Sequence, residues 1–282
     1  MENFIININQ EIFDETTAKI SVLDRGFLYG DSVYEATRTF NRRPFRLDQH
    51  IDRLFSSAEK IYLEPTLSKQ EIITEIQKTI SASTHENVSI RIILTRGDNS
   101  DLGLDPELAS SNNLVIITKE IKPNPAWWYE NGVAMIFYQK KSSNVGPLPK
   151  AGNYIENMLA YREAKQKSAF DSIMINPEGF VSEGTTSNIW MVKNNCIYTP
   201  PLSVGILEGL TRKTLLEIMP TIEEKKLTPE DFLAADECFI SSTTRDLIPV
   251  ISIDNHKIGT GAPGPKTTKL LSLYRAYVTK DR

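Results

Sequence analysis

Apolar residues recur in this chain at two spacings, every second position or every third and fourth, and the switches between them sketch its elements. Residues 18–23 and 33–40 read as strands, with Asp24-Arg25-Gly26 and Tyr29-Gly30-Asp31 turning the chain between them. After the Asn41-Arg42-Arg43-Pro44 turn, Leu47, Ile51, Leu54, Ala58 and Ile61 fall at helical spacing, and Pro65 breaks the chain behind them. Ser68-x-x-Glu71 is a capping box that opens a second helix, with Ile72, Ile73, Ile76 and Ile80 on its buried face. Strands are expected at 88–95 and 114–118, joined by a polar loop around 97–106.

Lys122-Pro123-Asn124-Pro125 then interrupts the pattern. Two prolines so close stiffen and extend the backbone, which suits a boundary between domains. Beyond it, strands are expected at 133–138, 172–175, 187–192 and 237–241, and helices at 154–167, 211–219 and 266–277. The pattern predicts an α+β chain in two domains, 1–121 and 131–282, with an interdomain linker over 122–130.

Composition narrows the function classes. With 282 residues, 40% hydrophobic and 24% charged, the chain is ordinary for a globular protein of two modest domains. A net charge of −4 gives no electrostatic case for nucleic acid or an acidic membrane surface. No apolar run approaches a membrane span, and Met1-Glu2-Asn3-Phe4-Ile5 does not read as a signal peptide. Cys196 and Cys238 lack metal or redox spacing, so a reduced cytoplasmic chain is the simpler reading, with Cys238 a buried inert thiol. The three histidines, His50, His85 and His256, form no ligand-like cluster, and no metal is expected. The chemistry is then left to carboxylates, hydroxyls, lysine or a borrowed cofactor.

Three segments combine such groups. Pro149-Lys150-Ala151-Gly152-Asn153-Tyr154 puts a lysine at the mouth of a helix. Val181-Ser182-Glu183-Gly184-Thr185-Thr186-Ser187-Asn188 sets an acid in a hydroxyl-rich turn, and Gly205-Ile206-Leu207-Glu208-Gly209-Leu210-Thr211-Arg212 feeds a helix N-terminus. Each has a bland reading. Most lysines are solvated surface charges, Glu183 alone suits an N-cap, Arg53 suits a solvated partner of Asp52, and hydroxyls at a strand end suit a turn.

Together with Asp24-Arg25-Gly26, Gly30-Asp31-x-Val33-Tyr34-Glu35 and His50-Ile51-Asp52-Arg53-Leu54, these segments resemble the class IV aminotransferases. These are the fold-type IV pyridoxal-phosphate enzymes, a group with branched-chain aminotransferases, D-amino-acid aminotransferases and aminodeoxychorismate lyase. The resemblance keeps its order from about Leu23 to Pro249. It implies a smaller α/β N-terminal domain and a larger C-terminal domain with a β-barrel-like core that binds pyridoxal 5′-phosphate.

The resemblance also implies roles. Lys150 matches the Schiff-base lysine, whose amine burial would free to attack an aldehyde. Glu183 matches the acid against the pyridine nitrogen, where a carboxylate keeps the ring protonated and electron-withdrawing. Arg53, the Leu210 and Thr211 amides and the Thr211 and Thr243 hydroxyls match the phosphate site. Tyr154 falls near the tyrosine that bonds the ring hydroxyl, one residue short of the Lys-x-Gly-Gly-Asn-Tyr spacing of bacterial branched-chain enzymes, and core packing is its alternative. The implied partners are amino acids, 2-oxo acids and a second subunit, since the family builds its site at a homodimer interface.

On specificity the motifs divide. The Arg-x-His pair usual in D-amino-acid enzymes after a Thr-Arg-Gly strand end is absent from Thr95-Arg96-Gly97-Asp98-Asn99-Ser100-Asp101-Leu102-Gly103-Leu104. Tyr34-Glu35-Ala36-Thr37-Arg38 is close to the branched-chain aromatic-Glu-Gly-x-Arg, yet Ser89 stands where that group has a carboxylate-binding tyrosine. Arg91 is either a substituting cation or a strand arginine facing water. With Tyr34 and the Thr243-Thr244 turn it completes the expected substrate site. The expectation leans to L-branched-chain donors, with a D-amino-acid transaminase or an aminodeoxychorismate-type lyase as alternatives. Glu35 speaks against the lyase, which commonly lacks an acid there.

Overall fold

The computed structural model describes residues 4–141 and 149–280. Among them the chain divides into two compact units, one reaching to Lys122 together with Pro149–Asn153, the other taking the rest from Pro123.

The first unit contains β1 (Ile5–Ile8), β2 (Glu11–Asp14), α1 (Arg25–Tyr29), β3 (Ser32–Phe40), β4 (Arg43–Pro44), α2 (Leu47–Lys60), α3 (Lys69–Ala82), β5 (Val88–Thr95) and β6 (Asn113–Glu120). Its sheet is antiparallel in the order β2-β1-β6-β5-β3-β4. Alternation decides its faces. Val33, Ile90, Ile92, Leu94, Leu114 and Ile116 form one core with Leu47, Ile51, Leu54 and Ala58 of α2 and Ile72, Ile76 and Ile80 of α3. The register Tyr34↔Ile93, Ala36↔Arg91 and Arg38↔Ser89 puts Tyr34 and Arg91 on the opposite face. The capping box at α3 forms in both directions, Ser68 N–H to Glu71 Oε2 at 2.7 Å and Glu71 N–H to Ser68 Oγ at 3.3 Å.

Residues 18–23 are not a strand. Their alternation has no neighbouring strand to meet its backbone groups, and Ile20, Val22 and Leu23 stand exposed instead. A second difference concerns Lys150, which the sequence reading assigned to the C-terminal domain. Tyr34 N–H donates to Lys150 O and Gly152 N–H to Ser32 O, each at 2.9 Å, and Val33 bridges Ala151. Pro149–Asn153 thereby lies along the edge of β3 in the first unit. Gly152 permits that approach, because a Cβ there would stand 2.4 Å from Ser32 Oγ.

The second unit holds α4 (Trp127–Glu130), β7 (Val133–Gln139), α5 (Ile155–Gln166), β8 (Asp171–Ile175), β9 (Val181–Gly184), β10 (Asn188–Lys193), β11 (Cys196–Thr199), α6 (Leu210–Ile218), β12 (Glu223–Glu224), α7 (Pro229–Leu233), β13 (Glu237–Ser242), β14 (Asp246–Ile253), β15 (His256–Lys257) and α8 (Pro265–Lys280). The run β10-β13-β14-β7-β8-β9 closes into a barrel through one further pairing, Glu183 opposite Asn188. Its interior is filled by residues such as Val133, Ile173, Val181, Ile189, Ile240 and Ile248.

Strand β14 escapes the sequence reading because Pro249 interrupts its pattern. The parallel ladder to β7 starts only at Val250, after the residue that lacks an N–H. Of residues 122–130, expected as linker, all from Pro123 onward are built into the second unit. Trp128 packs edge-on against Phe170 at 5.0 Å, and Tyr129 Oη donates to Arg245 O at 3.0 Å.

Candidate active site

In the first unit the polar centre is Glu35, a residue of β3 with no exposed surface. His50 and Arg53, three apart on α2, project from one helix face toward it. Arg53 donates from Nε to Glu35 Oε1 at 2.6 Å and from Nη2 to Oε2 at 2.7 Å, and His50 Nδ1 lies 2.7 Å from Oε2. Burial opposes a charge on Glu35, but the Arg53 charge and the bonds from Arg53 and His50 outweigh it and hold its pKa down at about 2. Burial likewise presses the His50 pKa down, helped by the positive Arg53 and Lys150 and resisted by Glu35. A neutral His50 therefore carries its proton on Nδ1. Its buried Nε2 has no hydrogen-bond partner among the described residues, an arrangement that costs about 1–3 kcal/mol.

Lys150 joins this cluster from the edge of β3. Its N–H donates to Ser57 Oγ of α2 at 3.1 Å, and its Nζ lies 4.5 Å from the centre of the Tyr34 ring. The Arg91 guanidinium lies 4.9 Å from the same ring. Lys150, Tyr34 and Arg91 are thus neighbours, with Arg53 and Glu35 beneath them on the helix side of the sheet.

A separate network fixes the loop after β5. Arg25 is buried, bonds Asp31 at 2.9 Å, and donates to the carbonyls of Gly103, Leu104 and Asp105 at 3.3, 3.0 and 3.1 Å. Tyr29 Oη donates to Leu102 O at 2.6 Å. The loop so held turns Leu102 and Leu104 outward, 68% and 77% exposed.

In the second unit Glu183 sits at the barrel's closing pair. Its Oε2 accepts the Leu207 N–H at 3.0 Å, while Asn188 Nδ2 donates to Leu207 O at 3.0 Å. The chain then enters α6, whose N-cap is Gly209, with no side-chain cap. A Cβ on Gly209 would meet Asn188 Oδ1 at 2.0 Å, so glycine lets the helix start close beside β10. The amides of Leu210 and Thr211 belong to the first turn, where helix geometry leaves donors without intrahelical partners. Thr211 Oγ1 is buried and has no partner among the described residues. Amides, a spare hydroxyl and the positive end of a helix together fit a phosphate group.

Thr243 and Thr244 lie in the turn between β13 and β14, where Asn124 Nδ2 donates to Thr244 O at 2.9 Å. Tyr154 occupies the N-cap position of α5 and makes no side-chain cap. The first unit gathers Tyr34, Arg53, Arg91 and Lys150, and the second ties Glu183 to Leu207, just ahead of α6 with Leu210 and Thr211. Missing from the sequence-derived site are Glu35, His50 and Asn188. The spacing of His50 and Arg53 was a usable signal for the first two, whereas nothing local marks Asn188.

The family model for class IV amino-transferases matches residues 32–253. A Methanocaldococcus jannaschii protein, provisionally named a branched-chain-amino-acid aminotransferase, is 34% identical, with 98% of this chain and 96% of that protein covered. A D-alanine aminotransferase of Bacillus licheniformis is also 34% identical, over 92% of each chain. The solved structure of the Escherichia coli branched-chain amino acid aminotransferase superposes with a TM-score of 0.89 at 27% identity, covering 98% of this chain and 95% of that one.

Folding is linked to ionisation at Glu35, which is held at about 2 against an ordinary 4.5. A depressed carboxylate contributes stability that is complete above the higher value and lost as the pH falls toward the lower one. Glu35→Gln strands the Arg53 charge, at an expected cost of about 3–5 kcal/mol near neutrality. Urea unfolding should show that loss, and the gap between wild type and variant should narrow as the pH drops from 4.5 toward 2. A gap of undiminished size in acid would refute the assignment.

Proposed function

Since the chain belongs to the class IV aminotransferases, we propose that Lys150, Glu183 and the α6 N-terminus are the groups by which it holds pyridoxal 5′-phosphate and exchanges an amino group between an amino acid and a 2-oxo acid. The enzyme is a pyridoxal-phosphate-dependent aminotransferase. When bound, the cofactor supplies an aldehyde that receives the amino group and an electron-withdrawing ring. The observation that carries the assignment is the buried Thr211 hydroxyl, without a partner among the described residues, in the first turn of a helix that has no side-chain cap. Such a group asks for an anion.

The residues divide the work. Lys150 Nζ would be the amine that holds the aldehyde and the base that moves the substrate's α-proton. Glu183, oriented by the Leu207 N–H, holds a proton on the ring nitrogen. Thr211, Thr243, the Leu210 and Thr211 amides and Arg53 take the phosphate, and Tyr154 takes the ring hydroxyl. Free Cys196 and Cys238 suit a reducing, cytoplasmic setting.

Donor choice leans to L-branched-chain amino acids. Relatives of both kinds are equally identical to this chain, so the local residues must decide. The Arg25-clamped loop turns out leucines where D-specific enzymes carry a cationic pair. The substrate carboxylate falls to the Thr243-Thr244 turn and to Arg91, which shares the Tyr34 ring with Lys150. A homodimer is the assembly that fits the exposed apolar surface, with Phe27 and Val22 in the first unit and Ile155, Met158 and Leu159 along α5 in the second.

Borohydride treatment should fix the cofactor to one peptide containing Lys150, and Lys150→Ala should abolish turnover; label elsewhere refutes the central role. In a donor panel L-leucine, L-isoleucine and L-valine should surpass D-alanine and D-glutamate. Arg91→Ala should raise KM for every donor while leaving the order of donors unchanged, the pattern of lost uniform binding. Turnover of D-alanine without L-leucine would reverse the lean. Sedimentation at assay concentration should find a dimer, and a fully active monomer would remove that part of the proposal.

A further inference from the structure

A fully buried histidine with one nitrogen bonded and the other bare is an unfavourable way to fill space. A leucine or phenylalanine would occupy a similar volume and leave no acceptor unpaired. What His50 gains is the Nδ1 bond to Glu35 at 2.7 Å. That bond falls on Oε2, the same oxygen that takes Arg53 Nη2 at 2.7 Å, while Oε1 takes Arg53 Nε at 2.6 Å. The carboxylate is held from the histidine side and from the arginine side at once, so its plane cannot turn about its last bond. A bidentate arginine follows the plane of its carboxylate. The charged groups around the imidazole are Glu35, Arg53 and Lys150.

We propose that His50 is a positioning residue whose Nδ1–H locks the Glu35 carboxylate, so that Glu35 fixes the heading of the Arg53 guanidinium toward the cofactor phosphate. The chain of dependence runs from a neutral donor to an anion to a cation, and each link lies in the first unit. Burial serves it, because a protonated His50 would add a third positive charge beside Arg53 and Lys150. The inference rests on the reading of Arg53 as a phosphate ligand.

Full-length protein stripped of cofactor and titrated separately with pyridoxal 5′-phosphate and with pyridoxal tests it. His50→Phe removes the bond, whereas His50→Asn keeps an amide donor near the Nδ1 position. His50→Phe should weaken pyridoxal 5′-phosphate about tenfold or more, the loss expected for a hydrogen bond to a charged group, and leave pyridoxal nearly unchanged. His50→Asn should retain most of the preference for the phosphorylated form. If His50→Phe does not fold, His50→Gln, which displaces the donor toward Nε2, takes its place. Equal weakening of both ligands, no weakening of either, or failure of His50→Asn to restore the preference would overturn the proposal. Arg53→Ala separates the two layers. A variant that keeps full preference for the phosphate removes the premise, whereas lost preference in Arg53→Ala beside an unchanged His50→Phe removes only the role of His50.

Discussion

A carboxylate shut away from water has to be met by donors and positive charge on the side where it points, and Glu35 imposes that condition on the first unit. Its place on β3 is dictated by strand alternation, which turns it to the same face as Val33 and into the helix layer. Helix α2 must then present polar groups at that level and apolar ones elsewhere. It does so by setting His50 and Arg53 immediately before the buried Ile51 and Leu54. The arginine thereby stays largely buried, with 14% of its side chain exposed and its guanidinium bonded to Glu35. In the proposed role of phosphate ligand, a surface arginine would lose side-chain entropy each time it bound an anion.

The two residues proposed to act on the cofactor ring and aldehyde are placed by main-chain bonding. Lys150 reaches β3 through two backbone hydrogen bonds and a bridge, so its Cα is registered like that of any strand residue. Glu183 stands in the pair that closes the barrel, opposite Asn188. Precision of this kind is cheap for backbone and hard to obtain from flexible side chains, which lose rotamer freedom when ordered. The glycines at 152 and 209 belong to the same economy, since each allows an approach that a Cβ would block.

Substrate choice follows a different logic. A protein provisionally named a branched-chain aminotransferase and a D-alanine aminotransferase are equally identical to this chain, so overall similarity does not decide its substrate. In the loop after β5, Arg25 ties the carbonyls down while the leucines face outward. A loop that spends its carbonyls on a buried guanidinium is preorganised, and whatever specificity its side chains confer is obtained with little ordering cost.

The sequence by itself determined the periodic elements. Helices α2 and α3, strands β3, β5 and β6, and the capping box at Ser68 all follow from spacing, because local packing of an amphipathic face leaves a regular trace. The motifs around Lys150, Glu183 and Thr211 were legible for the same reason, being short and contiguous. Spacing misled at residues 18–23, whose alternation meets no partner strand, and at Pro249, where a proline sits inside a real strand. Only the tertiary structure assigned Pro149–Asn153 to the first unit, drew residues 123–130 of the expected linker into the second, and set His50 and Arg53 on Glu35. These depend on hydrogen bonds between residues far apart in the chain, and such bonds leave no period in the sequence that makes them.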